Sequence, residues 1–426
     1  MISKSPVTRI LKSTSAISNS RLIHYKDLVG EHLLDEIEVM SRQMQDLCVI
    51  HYNTTVKGGG VAGTLRDLLE TVNELGIKHH SKIVHLDESG CRFMAKLSEL
   101  TQGGGAGTLT ETEQAEFIQG LRRSLTHISE DRADVYWIHD IQLVPIAKLL
   151  PNMRPAVWLC HVDTANPNRN AEQFIRSYLS DYDLCVYNTP LSAFKREPVK
   201  SFETIALGID VFGVKNREID PVKGKTIMKE CGIDIDRPTI AQVARFGRFK
   251  NPWQAIEIYR RVKIDVPQVQ LALIGAMEAT DDIEAREIYE DIRLLANDDP
   301  DIHLLSNPKT IGHPQVNAFQ WYSDVILQRS TREGFGLTVT EAMWKRQPVI
   351  GTSATGFKFQ IEHEKNGFIA DDTESTAEYT LQLLKNPQLR FHLGWEAKEH
   401  VRRHFLLPIM VRDYLKLLKR AVGENR

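Results

Sequence analysis

Residues 332–342 read Arg332-Glu333-Gly334-Phe335-Gly336-Leu337-Thr338-Val339-Thr340-Glu341-Ala342. The stretch follows a short apolar run, 325–328, that reads as a strand, and it passes into a helix beginning near Leu337. Glycines at 334 and 336 let the backbone approach a ligand, and the amides from Gly334 through Phe335, Gly336, Leu337 and Thr338 suit a phosphate beside a helix dipole. Glu333 lies in the loop, where a carboxylate accepts hydrogen bonds from sugar hydroxyls. Glu341 lies about one turn into the helix, placed to grip a ribose diol. Two contacts on one extended ligand fit this spacing better than a pair of acids flanking one glycosidic bond.

The same strand, loop and helix unit repeats along most of the chain. Further strand candidates are residues 47–52, 82–86, 135–139, 157–161 and 184–187, then 239–244, 269–274, 303–305 and 349–351. Between the first two lies a helix with Val61, Leu65, Leu68, Leu69, Val72 and Leu75 on one stripe and Gly76 as its stop. Thr110 with Glu113 forms a capping box for another helix. Asn251 as cap and Pro252 at the first helical position open a third. Such alternation predicts an α/β protein built on parallel sheets.

A chain of 426 residues exceeds what one core fills, so two domains are expected. The break falls near residues 206–218, where periodicity lapses. The division is a basic, flexible N-terminus at 1–24, a first Rossmann-like domain at 25–210, a second at 211–395, and returning C-terminal helices at 396–426. From Pro387 onward the pattern is helical, with Val411, Tyr414, Leu415, Leu418 and Val422 opposite Arg412, Lys416 and Lys419. That apolar stripe needs cover from the same chain or a second copy, so a homodimer is compatible with the sequence.

Ligand loops of such sheets lie at the C-terminal ends of the strands. Gly58, Gly59 and Gly60 occupy that position after the first strand. A second glycine run, Gly103 to Gly105, sits in no such setting and reads as a loop that could close over a substrate. Arg245 follows the first strand of the second half and Lys250 lies five residues on, before a helix start, two cations suited to a pyrophosphate. His139-Asp140 and His161-x-Asp163 end successive strands of the first half, with His161 placed for a sugar contact. The histidines lack a metal-binding spacing and no third ligand accompanies them.

Composition narrows the classes. The net charge is −3, with 42% hydrophobic and 26% charged residues, so no basic excess points to nucleic acid. No apolar run approaches the roughly 18 residues that cross a bilayer. Five scattered cysteines without a CxxC pair read as free thiols in a reducing compartment, the cytoplasm. Two D-x-D pairs, Asp181 with Asp183 and Asp234 with Asp236, precede strands and read as surface carboxylates.

Taken together, Arg245 with Lys250, and Glu333 with Glu341 in an E-x7-E frame, resemble the donor-site pattern of the retaining family 4 glycosyltransferases, whose fold is GT-B. Gly58-Gly59-Gly60-Val61-Ala62, His139-Asp140-x-Gln142, Cys160-His161-Val162-Asp163 and Arg332 through Trp344 are similar to the subgroup of trehalose synthases that join nucleoside-diphosphate glucose to glucose, and to fungal-type trehalose phosphorylases. The likeness runs from about Tyr25 to the last helix. It implies two Rossmann-like domains facing a shared cleft, with a C-terminal helix crossing back to the first.

The resemblance also implies roles. Arg245 and Lys250 would neutralise the leaving diphosphate, Glu333 would hold the donor hexose, Glu341 the ribose, and His161 would touch the donor sugar. The Gly58 to Gly60 loop would approach donor phosphates or acceptor, and Asp140, Gln142 and Asp163 would bind acceptor hydroxyls. The partners are a nucleotide-sugar donor and a small sugar acceptor, with no nucleic acid, membrane, cofactor or metal. A phosphorylase, a transferase with another acceptor such as a glyceric acid derivative, and a non-catalytic nucleotide-sugar sensor are the alternatives. Gly247-Arg248-Phe249 stands where relatives often have Asp-Pro-Trp before the lysine, and Thr352-Ser353-Ala354-Thr355-Gly356 where a Gly-Gly pair is expected. Both departures bear on base and sugar preference.

Overall fold

The apolar runs form twelve strands in two six-stranded sheets, in a computed structural model that describes residues 16–54, 59–103, 107–128, 130–194, 202–275 and 283–423. The first sheet holds β1 (Cys48–Asn53), β2 (Lys78–Ile83), β3 (Val135–His139), β4 (Ala156–Cys160), β5 (Leu184–Tyr187) and β6 (Phe202–Thr204) in the order β2-β1-β3-β4-β5-β6. The second holds β7 (Thr239–Val243), β8 (Gln270–Ile274), β9 (Ile302–Leu305), β10 (Val325–Gln328), β11 (Val349–Gly351) and β12 (Gly367–Ile369) in the order β12-β11-β10-β7-β8-β9. All pairings between these strands are parallel. The central strands β3, β4, β7 and β8 are buried throughout, which is why they read as unbroken apolar runs.

Two local expectations need correction, a strand position and a helix cap. The second strand lies at Lys78–Ile83 rather than at 82–86, because pairing with β1 and burial of His79 outweigh the more apolar residues that follow. The three-residue strands β6 and β12 have no sequence signature of their own and exist through pairing with β5 and β11. Asn251 does precede the helix Pro252–Asp265, but in a left-handed conformation and without a side-chain cap. The capping box of Thr110 and Glu113 on helix Glu111–Leu125 forms as expected.

In each sheet the chain builds outward in one direction and then crosses to the other side of its first strand. This puts a topological switch between β1 and β3, and another between β7 and β10. Ligand crevices open at such points, beyond the carboxyl ends of the strands.

The halves are tied together at the back. Ile209 exchanges main-chain hydrogen bonds with the turn before the last helix, Ile209 N to Phe405 O at 2.9 Å and Leu407 N to Ile209 O at 3.0 Å. The helix Pro387–His404 packs on the second half, and Leu407–Gly423 crosses to Glu31–Arg42 and Gly59–Glu74 of the first. Its buried stripe includes Val411, Tyr414, Leu415 and Leu418, so the same chain supplies the cover. Among the described residues no helix is long and apolar enough to cross a membrane.

Candidate active site

At the second switch the loops after β7 and β10 meet. Lys250 Nζ pairs with Glu333 Oε2, which also accepts from Ser330 Oγ at 3.3 Å. Gln242 holds the Lys250 carbonyl at 3.0 Å, and Thr331 N donates to Phe249 O at 2.8 Å, so the two loops are fastened side by side. Arg245 is exposed at the end of β7. Close approach here depends on Gly275, where a β-carbon would meet the Ala244 carbonyl at 1.9 Å.

The loop 333–336 is anchored by side chains that face inward. Phe335 is buried edge-on against Phe405, and Leu337 is buried as well, so from these two positions the main chain alone can face a ligand. Gly336 has φ +88° and caps the helix Leu337–Trp344, with Thr338 in its first turn. A β-carbon at 336 would lie 2.5 Å from the Phe357 ring. The Glu333 carbonyl accepts from Thr355 Oγ1 at 2.8 Å and from Gly356 N at 2.9 Å, which fixes the carboxylate's base.

Glu341 is 2% exposed and its Oε1 lies 2.5 Å from Lys215 Nζ. Gln320 Nε2 donates to Oε2 at 3.3 Å. One turn on, Lys345 is fully buried, and its ammonium donates to Gln320 Oε1 at 2.8 Å, Asn216 Oδ1 at 3.0 Å and the Glu341 carbonyl at 3.3 Å. Burial pulls this amine down to about 7, against the pull of Glu341 and with the push of Lys215.

The first half presents its switch from the opposite side. Gly59 and Gly60 open the helix Gly59–Glu74, while Gly58 lies outside the described residues, as do Gly104 and Gly105. Gln142 Nε2 donates to Thr54 Oγ1 at 3.1 Å across the ends of β3 and β1. Asp140 sits at φ 65°, strained for a residue with a β-carbon, and its Oδ1 accepts from His161 N at 2.8 Å. Asp163 is 2% exposed, with Oδ1 accepting from Ala165 N at 3.0 Å. Burial raises its carboxyl above the usual range, opposed by Arg332.

The halves touch where these rims meet. Arg332 Nη1 reaches within 3.9 Å of Asp163 and runs past Gly103, where a β-carbon would lie 3.0 Å from the guanidinium. His161 departs from the expected sugar contact in one respect. Both its ring nitrogens are engaged within the first half, Nε2 with His139 at 3.0 Å and Nδ1 with Asn188 at 2.8 Å. What it turns toward the second half is its main-chain carbonyl, against Gly334.

Sequence reasoning missed Lys215, Lys345, Arg332 and Asn188. Lys345 had a readable signal, because it lies four residues after Glu341 and caps the end of the same apolar helix. Lys215 and Asn188 had none. Among the described residues no three His, Cys, Asp or Glu side chains gather as a metal site.

Residues 51–194 match the family model described as trehalose synthase, N-terminal domain, and residues 224–400 match that of glycosyl transferases group 1. A trehalose synthase from Thermococcus litoralis is 33% identical over 400 residues, which cover 93% of this chain and 96% of that protein. A trehalose phosphorylase from Pleurotus pulmonarius is 24% identical over 432 residues, 89% of this chain and 58% of that protein. Among solved structures, a trehalose 6-phosphate synthase from Burkholderia multivorans superposes with a TM-score of 0.70 at 15% identity, over 89% of this chain and 99% of that one. That likeness speaks to the fold.

Proposed function

The chain belongs to the trehalose synthase family of glycosyltransferases, and from that premise we propose that it transfers glucose from a nucleoside-diphosphate glucose to free glucose, with retention, forming α,α-trehalose. The observation that carries this reading is the meeting of Lys250, Glu333 and the amino end of Leu337–Trp344 at the switch between β7 and β10. Cations and helix amides there suit a diphosphate, and carboxylates on either side suit a hexose and a ribose.

In the reaction the bond from the anomeric carbon to the phosphate oxygen breaks, and a bond to the acceptor oxygen forms on the same face of the sugar. The acceptor's proton passes to the departing phosphate oxygen. Arg245, Lys250 and the amides from Gly336 to Thr338 offset the diphosphate's growing charge, so no metal is required of the mechanism. Asp140, Gln142 and Asp163 line the acceptor side, and approach of the two rims aligns acceptor with donor and excludes water. The reaction is read as cytoplasmic, a reading supported by five scattered cysteines that include no CxxC pair.

The test is a screen of the purified chain, without added metal, crossing UDP-, GDP- and ADP-hexoses with free sugars and small hydroxy acids. A non-reducing α,α-linked disaccharide confirms the reading. Nucleotide release with a different acceptor removes trehalose and keeps the transferase. Turnover of sugar 1-phosphate alone supports a phosphorylase, the second reading, to which the Pleurotus relative points.

A further inference from the structure

Behind the cleft, four histidines and a tyrosine form one unbroken run of hydrogen bonds. They come from β2, β1, β3, the residue after β4, and the helix Leu407–Gly423. His79 Nδ1 lies 3.0 Å from the Ile77 carbonyl and its Nε2 2.8 Å from the Tyr414 hydroxyl. That hydroxyl is 3.0 Å from His51 Nε2, and His51 Nδ1 is 3.0 Å from His139 Nε2. His139 Nδ1 is 3.0 Å from His161 Nε2, and His161 Nδ1 is 2.8 Å from Asn188 Oδ1. All six side chains are buried.

Counting protons along this run gives an odd result. The Ile77 carbonyl at one end can only accept. So can Asn188 Oδ1 at the other, because Asn188 Nδ2 donates to the Ile205 carbonyl at 3.1 Å and a turned amide would set two oxygens together. Between the ends lie five groups, each supplying one proton when neutral. Six hydrogen bonds therefore need one proton more than the neutral groups hold. Leaving one bond unmade would face two acceptors in a dry interior, where neither finds water to replace the missing proton.

The surroundings locate the extra proton. Burial pushes His51 and His139 well down, and His79 to about 4, with His80 beside it. Carboxylates lie close to the His161 end of the run, around its main chain rather than its ring. Asp140 accepts from its main-chain N–H, Asp163 lies two residues on, and Glu333 and Arg332 approach Asp163 from the second half, with His139 behind.

We propose that the run carries one proton beyond its neutral complement, held at His161, and that Tyr414, His51, His139 and Asn188 are positioning residues that keep His161 an imidazolium in the cleft wall. On the transfer reading, which the proton count itself does not need, this charge stands behind the loop at Gly334 and supports the cations that meet the departing diphosphate.

The experiment is long-range proton–nitrogen NMR of the full chain with nitrogen-15 histidine, near neutral pH. The expected pattern is protonation at both nitrogens of His161, at Nε2 of His51 and His139, and at Nδ1 of His79. A neutral His161 overturns the proposal. In Tyr414→Phe, three bonds remain for His51, His139 and His161, so the count closes without a charge. His51 and His139 then switch to Nδ1–H and His161 turns neutral, while a retained imidazolium overturns the proposal. The variant's kcat falls on the order of tenfold to a hundredfold with acceptor KM unchanged, and the alkaline limb of its pH profile flattens. A kcat and profile like the parent's overturn the positioning role. If Tyr414→Phe does not fold, the spectrum of the unaltered chain decides. If no donor turns over, the transfer reading fails while the spectrum still tests the count.

Discussion

Gly334 of the second half lies so close to the main-chain carbonyl of His161 of the first that a β-carbon at 334 would sit 2.1 Å from that oxygen. The contact is between backbones, so no rotamer change can relieve an added methyl. Gly334→Ala must part the two rims by about an ångström. Turnover should fall about 100-fold, since misplacement on that scale costs that much in aligned transfer. The melting temperature should move by no more than about 4 °C. Kinetics and a thermal scan on one preparation check this, and near-normal turnover would show that the rims do not meet in the working enzyme.

Lys250 and Glu333 form a partly buried ion pair, with 26% and 18% of their side chains exposed, open enough to the cleft for water to reach the partner left by a truncation. Lys250→Ala and Glu333→Ala should each lower kcat by about 100-fold or more while leaving the urea midpoint nearly unchanged. Steady-state rates with the best donor from the screen are the measurement. A variant that keeps its rate removes that residue from the mechanism.

Lys345 supplies a pH signature. Its amine, pulled to about 7 by burial, returns to the ordinary lysine range on unfolding. Between those values the unfolded chain binds the extra proton, so this group's contribution makes stability rise with pH, by up to about 1.4 kcal/mol per unit. Below pH 7 both states are protonated and the penalty is constant. Urea midpoints of the parent and of Lys345→Met, compared from about pH 7 to about pH 9, should show the parent gaining on the variant. Parallel curves would mean that Lys345 keeps an ordinary lysine value in the folded chain.

Leu418 is fully buried where the last helix crosses the first half. Leu418→Ala should cost about 2–5 kcal/mol through lost transfer energy and the cavity left behind. Denaturant unfolding reads the loss directly. A shift under about 1 kcal/mol would mean the helix docks loosely.

Much of the site is legible in the sequence. Arg245, Lys250 and Glu333 carry their meaning in local setting, a charged residue in a glycine-bearing loop between a strand and a helix, and Glu341 carries its own one turn into the helix that follows. The structure brings Lys250 to Glu333 and seals Glu341 against Lys215. Phe335 and Leu337 belong to the donor loop by position, yet their side chains anchor it from the core. His161 reads in sequence as a lone sugar contact, although its ring belongs to the buried run that ends at Asn188.

The sequence alone determined the class of fold and the positions of the ligand loops, because both follow from patterns confined to a few turns or one strand. Apolar periodicity sets each element, and the strand-to-loop-to-helix order sets which end faces the cleft. Only the tertiary structure decided which loops became neighbours. Tyr414 meets His51 from 363 positions away and His79 from 335. Lys215 meets Glu341, and Gly334 meets His161, across equally unmarked distances. Those meetings depend on strand order and on how the last helix crosses back, which are set by burial summed over the whole chain. No single window of sequence holds that sum.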